Sequence, residues 1–396
     1  MKTKRIDDVA RERIIRGKDN WWFLGPGGVA RLYPKHLTSE GALTPSAERH
    51  LRDNGLFTGK KAPSYTLTVL TSTDCNLGCG YCFQNTGQDS SGGNRPPRIA
   101  HARLTSGTIT RILEFASRQM SAADFERLHI VLFGGEPLLN PRGCTELLAR
   151  AADYGLVSAA MISNATLLTP ALARELVNLK LTSVQVSFDG DHTQHDLIRV
   201  RRSGGGTFDS IVENMARVSE TVSIRWLLRV NVSHHNSAGI DGLIDALAAR
   251  LDTSQCHIHF AWVDDVGVGY ENEMRPSAKL AQQFFGWHRR AIEAGFAIAR
   301  PSAQIPCVTC SFDNGQFGAV VSADGSLSSC WETAGRPGWQ VGSVVGGYLP
   351  AEHAQNRWVS CMDTLLRDVD ADLETRAFKN TLDAALLDYL DETGRL

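Results

Sequence analysis

The sequence has no apolar run approaching the roughly eighteen residues that a membrane span requires. Its opening, MKTKRIDDVARERIIRGKD, lacks the apolar stretch of a secretory signal, so export is not expected. No charge dominates either. The 41 Lys and Arg stand against 43 Asp and Glu, and this balance gives no bulk attraction to nucleic acid or to a membrane surface. No internal repeat is visible. A cytoplasmic location is the working expectation.

Cysteine, by contrast, is plentiful. The nine thiols fall into two groups, Cys75, Cys79 and Cys82, then Cys307, Cys310, Cys330 and Cys361. Clustered thiols in a reducing compartment suit metal ligation better than disulfides. Cys144, in a helical stretch, and Cys256, which shares the apolar parity of Ile258, Phe260 and Trp262, are expected in the core.

The 396 residues are enough for roughly two or three domains. Residues 1–60 form a preface, with a hairpin around Gly25-Pro26-Gly27-Gly28 and a short helix begun by Thr44-Pro45 and stopped by Asn54-Gly55. So small a piece must pack on the rest of the chain or on a partner. Residues 61–298 alternate strand and helix. Strands are expected at Tyr65–Thr71, Leu128–Phe133, Val157–Ser163, Thr182–Asp189, Ser223–Val232 and Cys256–Trp262. Helices are expected near Thr105–Met120, Arg142–Tyr154, Pro170–Leu179, Ser210–Val218, Ala238–Ala249 and Ala278–Ala294. Six βα units argue for an α/β fold with a parallel sheet, open or curled into a partial (β/α)6 barrel, with ligands at the carboxyl ends of its strands. Residues 299–396 show hairpin character around Ala323-Asp324-Gly325 and end in helix. The polar loop Asn85–Arg103 is long enough to expect function or mobility.

Parity separates two strand faces. Ile224, Trp226, Leu228, Val230 and Val232 share one, and Arg225, Leu227, Arg229 and Asn231 the other. Likewise Val184, Val186 and Phe188 oppose Ser183, Gln185, Ser187 and Asp189. A polar face turned inward lines a site. Arg229 and Asn231 are candidate contacts to cofactor or substrate, with structural hydrogen bonding as the alternative. His257 and His259 share the inward parity of the last strand, and Asp264 and Asp265 follow it. All four are candidates to accept a proton.

The segment DCNLGCGYCFQ carries three thiols spaced C-x3-C-x2-C directly after the first strand. Structural zinc wants four ligands, whereas a [4Fe-4S] cube on three cysteines leaves one iron open to a small chelating ligand. Phe133-Gly134-Gly135-Glu136-Pro137 ends the second strand, and its glycines permit close backbone approach to a ligand.

Cys75, Cys79, Tyr81 and Cys82 in this position resemble the signature of the radical S-adenosylmethionine (radical SAM) enzymes. The resemblance extends over roughly Tyr65 to Cys361. It implies a partial barrel with a [4Fe-4S] cluster on the three cysteines, Tyr81 beside the cofactor, and SAM chelated to the open iron. It implies further that Gly134, Gly135 and Glu136 receive the methionyl amino group and that Ser187 and Arg199 hold the carboxylate. An arginine fork matches that group. Asn164 would lie near the ribose, although Ala165 stands where the family often has glycine. The spacing C-x14-G-x4-C from Cys310 through Gly325 to Cys330 resembles auxiliary-cluster modules called SPASM and Twitch. With Cys307 and Cys361 it implies one auxiliary [4Fe-4S] cluster, a zinc site being the alternative.

Ser187–Arg199, the GGTF at 205–208 and the C-terminal cysteines resemble peptide-modifying members of the family, such as sulfatase maturases and maturases of ribosomally made peptides. The function so implied is oxidoreductive maturation of a precursor peptide by cross-linking, epimerisation or oxidation. The preface would be a reduced leader-peptide element, and flavodoxin or ferredoxin the electron donor. Two readings stay open beside it: dehydrogenation of a small molecule such as an aminosugar, and a zinc-binding scaffold without enzyme activity.

Overall fold

The computed structural model describes residues 12–59, 64–82, 84, 99–263, 272–303, 315–354, 357–358 and 369–396. Its N-terminal part is a three-stranded antiparallel sheet of β1 (Arg13–Arg16), β2 (Trp21–Gly25) and β3 (Gly28–Leu32), followed by helix α1 (Pro45–Asp53). The hairpin is therefore present with one more strand than its turn residues reveal. Thr44 caps α1 through its side chain, and Gly55 leaves the helix with φ 73°.

The six expected strands are β4 (Tyr65–Ser72), β5 (Leu128–Gly134), β6 (Leu156–Ile162), β7 (Leu181–Phe188), β8 (Arg225–Val232) and β9 (Cys256–Trp262). They are joined by α2 (Ser106–Ala122), α3 (Pro141–Ala151), α4 (Pro170–Asn178), α5 (His192–Ile198), α6 (Phe208–Ser219) and α7 (Ile240–Arg250), with α8 (Ala278–Glu293) after the last. Thr105, Asn140, Thr169 and Ser277 each accept a backbone N–H at the start of a helix, and Pro141 and Pro170 occupy first turns. The apolar parity face of β7 and β8 is buried with the helices: Val184, Val186, Phe188, Trp226, Leu228 and Val230 belong to one core with Cys144 and Cys256. Both lone cysteines are thus packing residues.

Two strands extend the parallel order at its ends. β10 (Ala297–Ile298) joins β9, and β11 (Gly318–Val321) lies parallel to β4, Val320 opposite Thr68. From β11 the sheet continues antiparallel through β12 (Ser326–Ser328), β13 (Gln340–Ser343) and β14 (Gly347–Tyr348). The Asp324-Gly325 turn is the expected hairpin, with Gly325 at φ 90°.

The last helix, α9 (Val369–Glu392), turns away from these strands. It packs on α8 and on the N-terminal sheet, where Ile15, Trp22 and Leu24 meet Ala384 and Leu387. Arg13 reaches Asp383 at 2.6 Å, Asn380 at 2.8 Å and the Ser302 carbonyl at 2.7 Å, while Trp22 donates to Asp388 at 2.7 Å. The preface therefore finds its buried face on the chain's own C-terminal helix. Of the described parts of 299–396, β11–β14 continue the sheet beyond β4, while α9 packs on α8 and β1. Among the described residues no helix is long and apolar enough to cross a membrane.

Candidate functional site

Beyond β4 the chain enters the three-cysteine loop, which is tied down on three sides. Thr73 N–H donates to Ala102 O at 3.0 Å, and Gly78 N–H donates to Val200 O at 2.9 Å. On the third side Gly135 N–H donates to Ser72 O at 3.0 Å and Glu136 N–H to Asp74 O at 2.7 Å. Leu77, between the first two thiols, is buried. Cys75, Cys79 and Cys82 are half-buried and within electrostatic reach of one another. Burial pushes Cys75 up to about 12 and Cys79 up to about 11, so a metal must displace their protons.

The two glycines of the FGGEP turn are explained by this loop. A Cβ on Gly134 would stand 2.1 Å from Ser72 O, and one on Gly135 2.3 Å from Asp74 O. The close approach is between β5 and the cysteine loop itself. Gly135→Ala is expected to push the two backbones apart, costing about 1–3 kcal/mol by overpacking. Thermal unfolding and iron retention after reconstitution measure it, and wild-type values for both would refute the packing role.

Glu136 is fully buried, and its carboxylate is consumed within the protein. It accepts Leu138 N–H at 3.0 Å, Ser163 Oγ–H at 2.8 Å and Asn164 N–H at 2.7 Å. The residue braces the ends of β5 and β6 against each other. Asn164 in turn donates from Nδ2 to Asn76 Oδ1 at 2.8 Å, with Cys75 Sγ 3.9 Å from the same nitrogen. Ala165 adopts the left-handed φ of 58° that glycine would take more cheaply, roughly 1–2 kcal/mol for a residue with Cβ.

A third group closes over the loop from β7 and β8. Tyr81 Oη donates to Asp189 Oδ2 at 2.8 Å and accepts from Arg199 Nη1 at 2.7 Å and Asn231 Nδ2 at 2.9 Å. Arg199 Nη1 also lies 3.5 Å from Asp189 Oδ2. His195, on α5, supports this group from behind. Its Nδ1 accepts Asp189 N–H at 3.4 Å, and its Nε2 lies 3.1 Å from Thr207 Oγ1. Thr207 spends its own proton on Arg199 O at 3.0 Å, so His195 carries the Nε2 proton. Burial, then the Arg199 charge, hold that imidazole neutral. Arg199 Nε is buried and has no hydrogen-bond partner among the described residues.

Ser187 is half-buried on the lumen face of β7, directly opposite Arg229 on β8. Arg229 donates from Nε to Asn231 Oδ1 at 2.8 Å. His257 and His259 face the same lumen on β9, in register with Leu227 and Arg229. Cys330 is buried at the end of β12, and Arg336 is within electrostatic reach of both Cys330 and Cys82. Asp264, Asp265, Cys307, Cys310 and Cys361 lie outside the described residues. The sequence assigns Asp189 and Asn76 no role: parity places Asp189 on the inward face and Asn76 sits inside the motif, but only the fold brings their partners to them.

Residues 69–246 match the model of the radical SAM superfamily. The chain is 25% identical over 174 residues to the radical SAM cyclopropyl synthase TigE of Paramaledivibacter caminithermalis, covering 43% of this chain and 35% of that protein. The matched segments span 35% to 54% of the length of the curated relatives. Among solved structures, anSMEcpe with bound AdoMet is similar with a TM-score of 0.64 at 15% identity, over 84% of this chain and all of that one. Streptococcus suis SuiB bound to precursor peptide SuiA gives a TM-score of 0.50 at 14% identity, over 79% and 70% of the two chains. The chain therefore carries a radical SAM domain, from a superfamily of enzymes. That domain implies a [4Fe-4S] cluster and SAM.

Proposed function

We propose that the chain is a radical SAM oxidoreductase that matures a peptide. Cys75, Cys79 and Cys82 would hold the cluster, Arg199 and Ser187 the methionyl carboxylate, and Asn164 the ribose side. When bound, cluster and SAM supply a 5′-deoxyadenosyl radical that takes a hydrogen atom from substrate.

The donor set fits this reading. Three thiolates on one loop, within electrostatic reach of one another, suit a cube that keeps one iron open, whereas structural zinc takes four ligands. Tyr81 with Asp189 fixes the plane of the Arg199 guanidinium, whose fork would match the carboxylate. Gly135 and Glu136 spend their N–H groups on the cysteine loop, so the FGGEP turn has carbonyl oxygen to offer an amino group. Phe133 and Trp331, with ring centroids 5.3 Å apart, cover the lumen beside Leu70 and Val320 and limit water there. Cys330 with Cys307, Cys310 and Cys361 would hold one auxiliary cluster, which would accept the electron left on substrate.

The observation that carries the peptide reading is the exposed inner face of β8 and β9. Arg229 and His259 lie mid-strand within the sheet and remain solvent-exposed. The similar fold of SuiB with its precursor peptide supports the same reading. The test is mass spectrometry of any candidate precursor peptide encoded beside the gene, after anaerobic incubation with enzyme, SAM and reductant. A mass lower by a pair of hydrogens, or an inverted stereocentre at unchanged mass, is expected. Abundant 5′-deoxyadenosine beside an unaltered peptide would refute it.

A further inference from the structure

The SAM contacts leave one wall of the lumen unassigned. The β8–β9 register sets Arg229 beside His259 and Leu227 beside His257, with Arg225 on the same face of β8. Arg225, Arg229 and His259 are exposed, and His257 is half-buried. Among the described residues Arg225, His257 and His259 have no hydrogen-bond or ion-pair partner, and Arg229 uses only Nε. Both terminal nitrogens of Arg229 remain available.

Lys379, on α9, joins this wall. It is exposed, has no ion pair among the described residues, and lies within electrostatic reach of His259. Carboxylates approach this wall but have other partners as well: Asp383, within reach of Lys379, is paired with Arg13; Asp189, within reach of Arg229, is held by Tyr81 and Arg199; and Glu332 is shared between Arg229 and Arg336. Desolvation of the ring, then the charges of Arg229, His288 and Lys379, push His259 down to about 4. Like charges facing one concave space focus a positive potential into it, and an anion is what such a space concentrates.

The geometry points to an acidic subsite in which Arg229, His259 and Lys379 seat an aspartyl or glutamyl carboxylate of the substrate. The Arg229 fork offers two parallel N–H donors, Lys379 a point charge, and neutral His259 one N–H. This assignment rests on the peptide reading above and gives Arg229 to substrate rather than SAM.

The probe is a pair of synthetic decapeptide pools, randomised except for a central Glu in one and a central Gln in the other. Each is incubated with the reconstituted full-length protein and SAM, and retained peptides are counted by mass spectrometry. Retention of the Glu pool about tenfold over the Gln pool is expected. Lys379→Gln should erase most of that preference. Lys379→Glu should move the preference to a Lys-centred pool, a gain that misfolding does not produce. Equal retention of the Glu and Gln pools by wild type would overturn the acidic subsite and leave the peptide reading standing. Retention of neither pool would overturn both.

Discussion

Alanine at Cys75, Cys79 and Cys82 together is expected to bring 5′-deoxyadenosine formation down to the level of a protein-free control, under anaerobic conditions with SAM and reductant. The three thiols are the donor set of a single loop. The loop, however, does not depend on them for its path. Thr73 and Gly78 pair with Ala102 and Val200 through backbone, and Leu77 is buried beneath. The triple variant should therefore fold, keep its far-ultraviolet dichroism, and retain whatever iron belongs to the second cysteine group. Loss of SAM cleavage with the fold intact assigns the chemistry to the loop. Undiminished cleavage would remove that assignment.

Glu136→Gln is the second large effect. The wild-type carboxylate presents two acceptor oxygens to three donors and has none to give back. An amide must turn its NH2 either toward Asn164 N–H or toward Leu138 N–H and Ser163 Oγ. Either choice sets donor against donor in a fully buried place. An unsatisfied buried donor costs about 1–3 kcal/mol, and that destabilisation should appear in chemical or thermal unfolding. The effect should also reach the site, because Glu136 fixes Asn164, and Asn164 fixes Asn76 between the first two cysteines. Weaker SAM affinity is expected alongside the lost stability. Unchanged values for both would show that the brace carries no strain and has no bearing on the cofactor.

Much of this arrangement is legible in the sequence because it is local. The six strands and their helices announce themselves through period and caps. Thr169-Pro170 starts a helix and the alternation of Val184, Val186 and Phe188 marks a core face wherever they occur. The placement of the cysteine loop, the FGGEP turn and Ser187 at strand ends follows from that reading. What stays hidden is what depends on distant partners. No pattern in Gly318–Val321 says that it pairs with Thr66–Val69, and no pattern in Arg13 says that it will meet Asp383. Asp189 is of this kind. Parity puts it inward, but its role comes from Tyr81 and Arg199, which arrive from two other segments. The short helix His192–Ile198 escapes for another reason. It is mostly polar, and its one buried residue, His195, is there to serve Asp189.

The central claim is that the three-cysteine loop leaves one iron open and that SAM binds there. Electron paramagnetic resonance of the dithionite-reduced, anaerobically reconstituted protein, recorded before and after SAM is added, tests it most directly. A reduced-cluster signal whose g-values shift with SAM, and which is absent from the triple cysteine variant, is expected. A signal indifferent to SAM, or colourless protein holding zinc in place of iron, would contradict it.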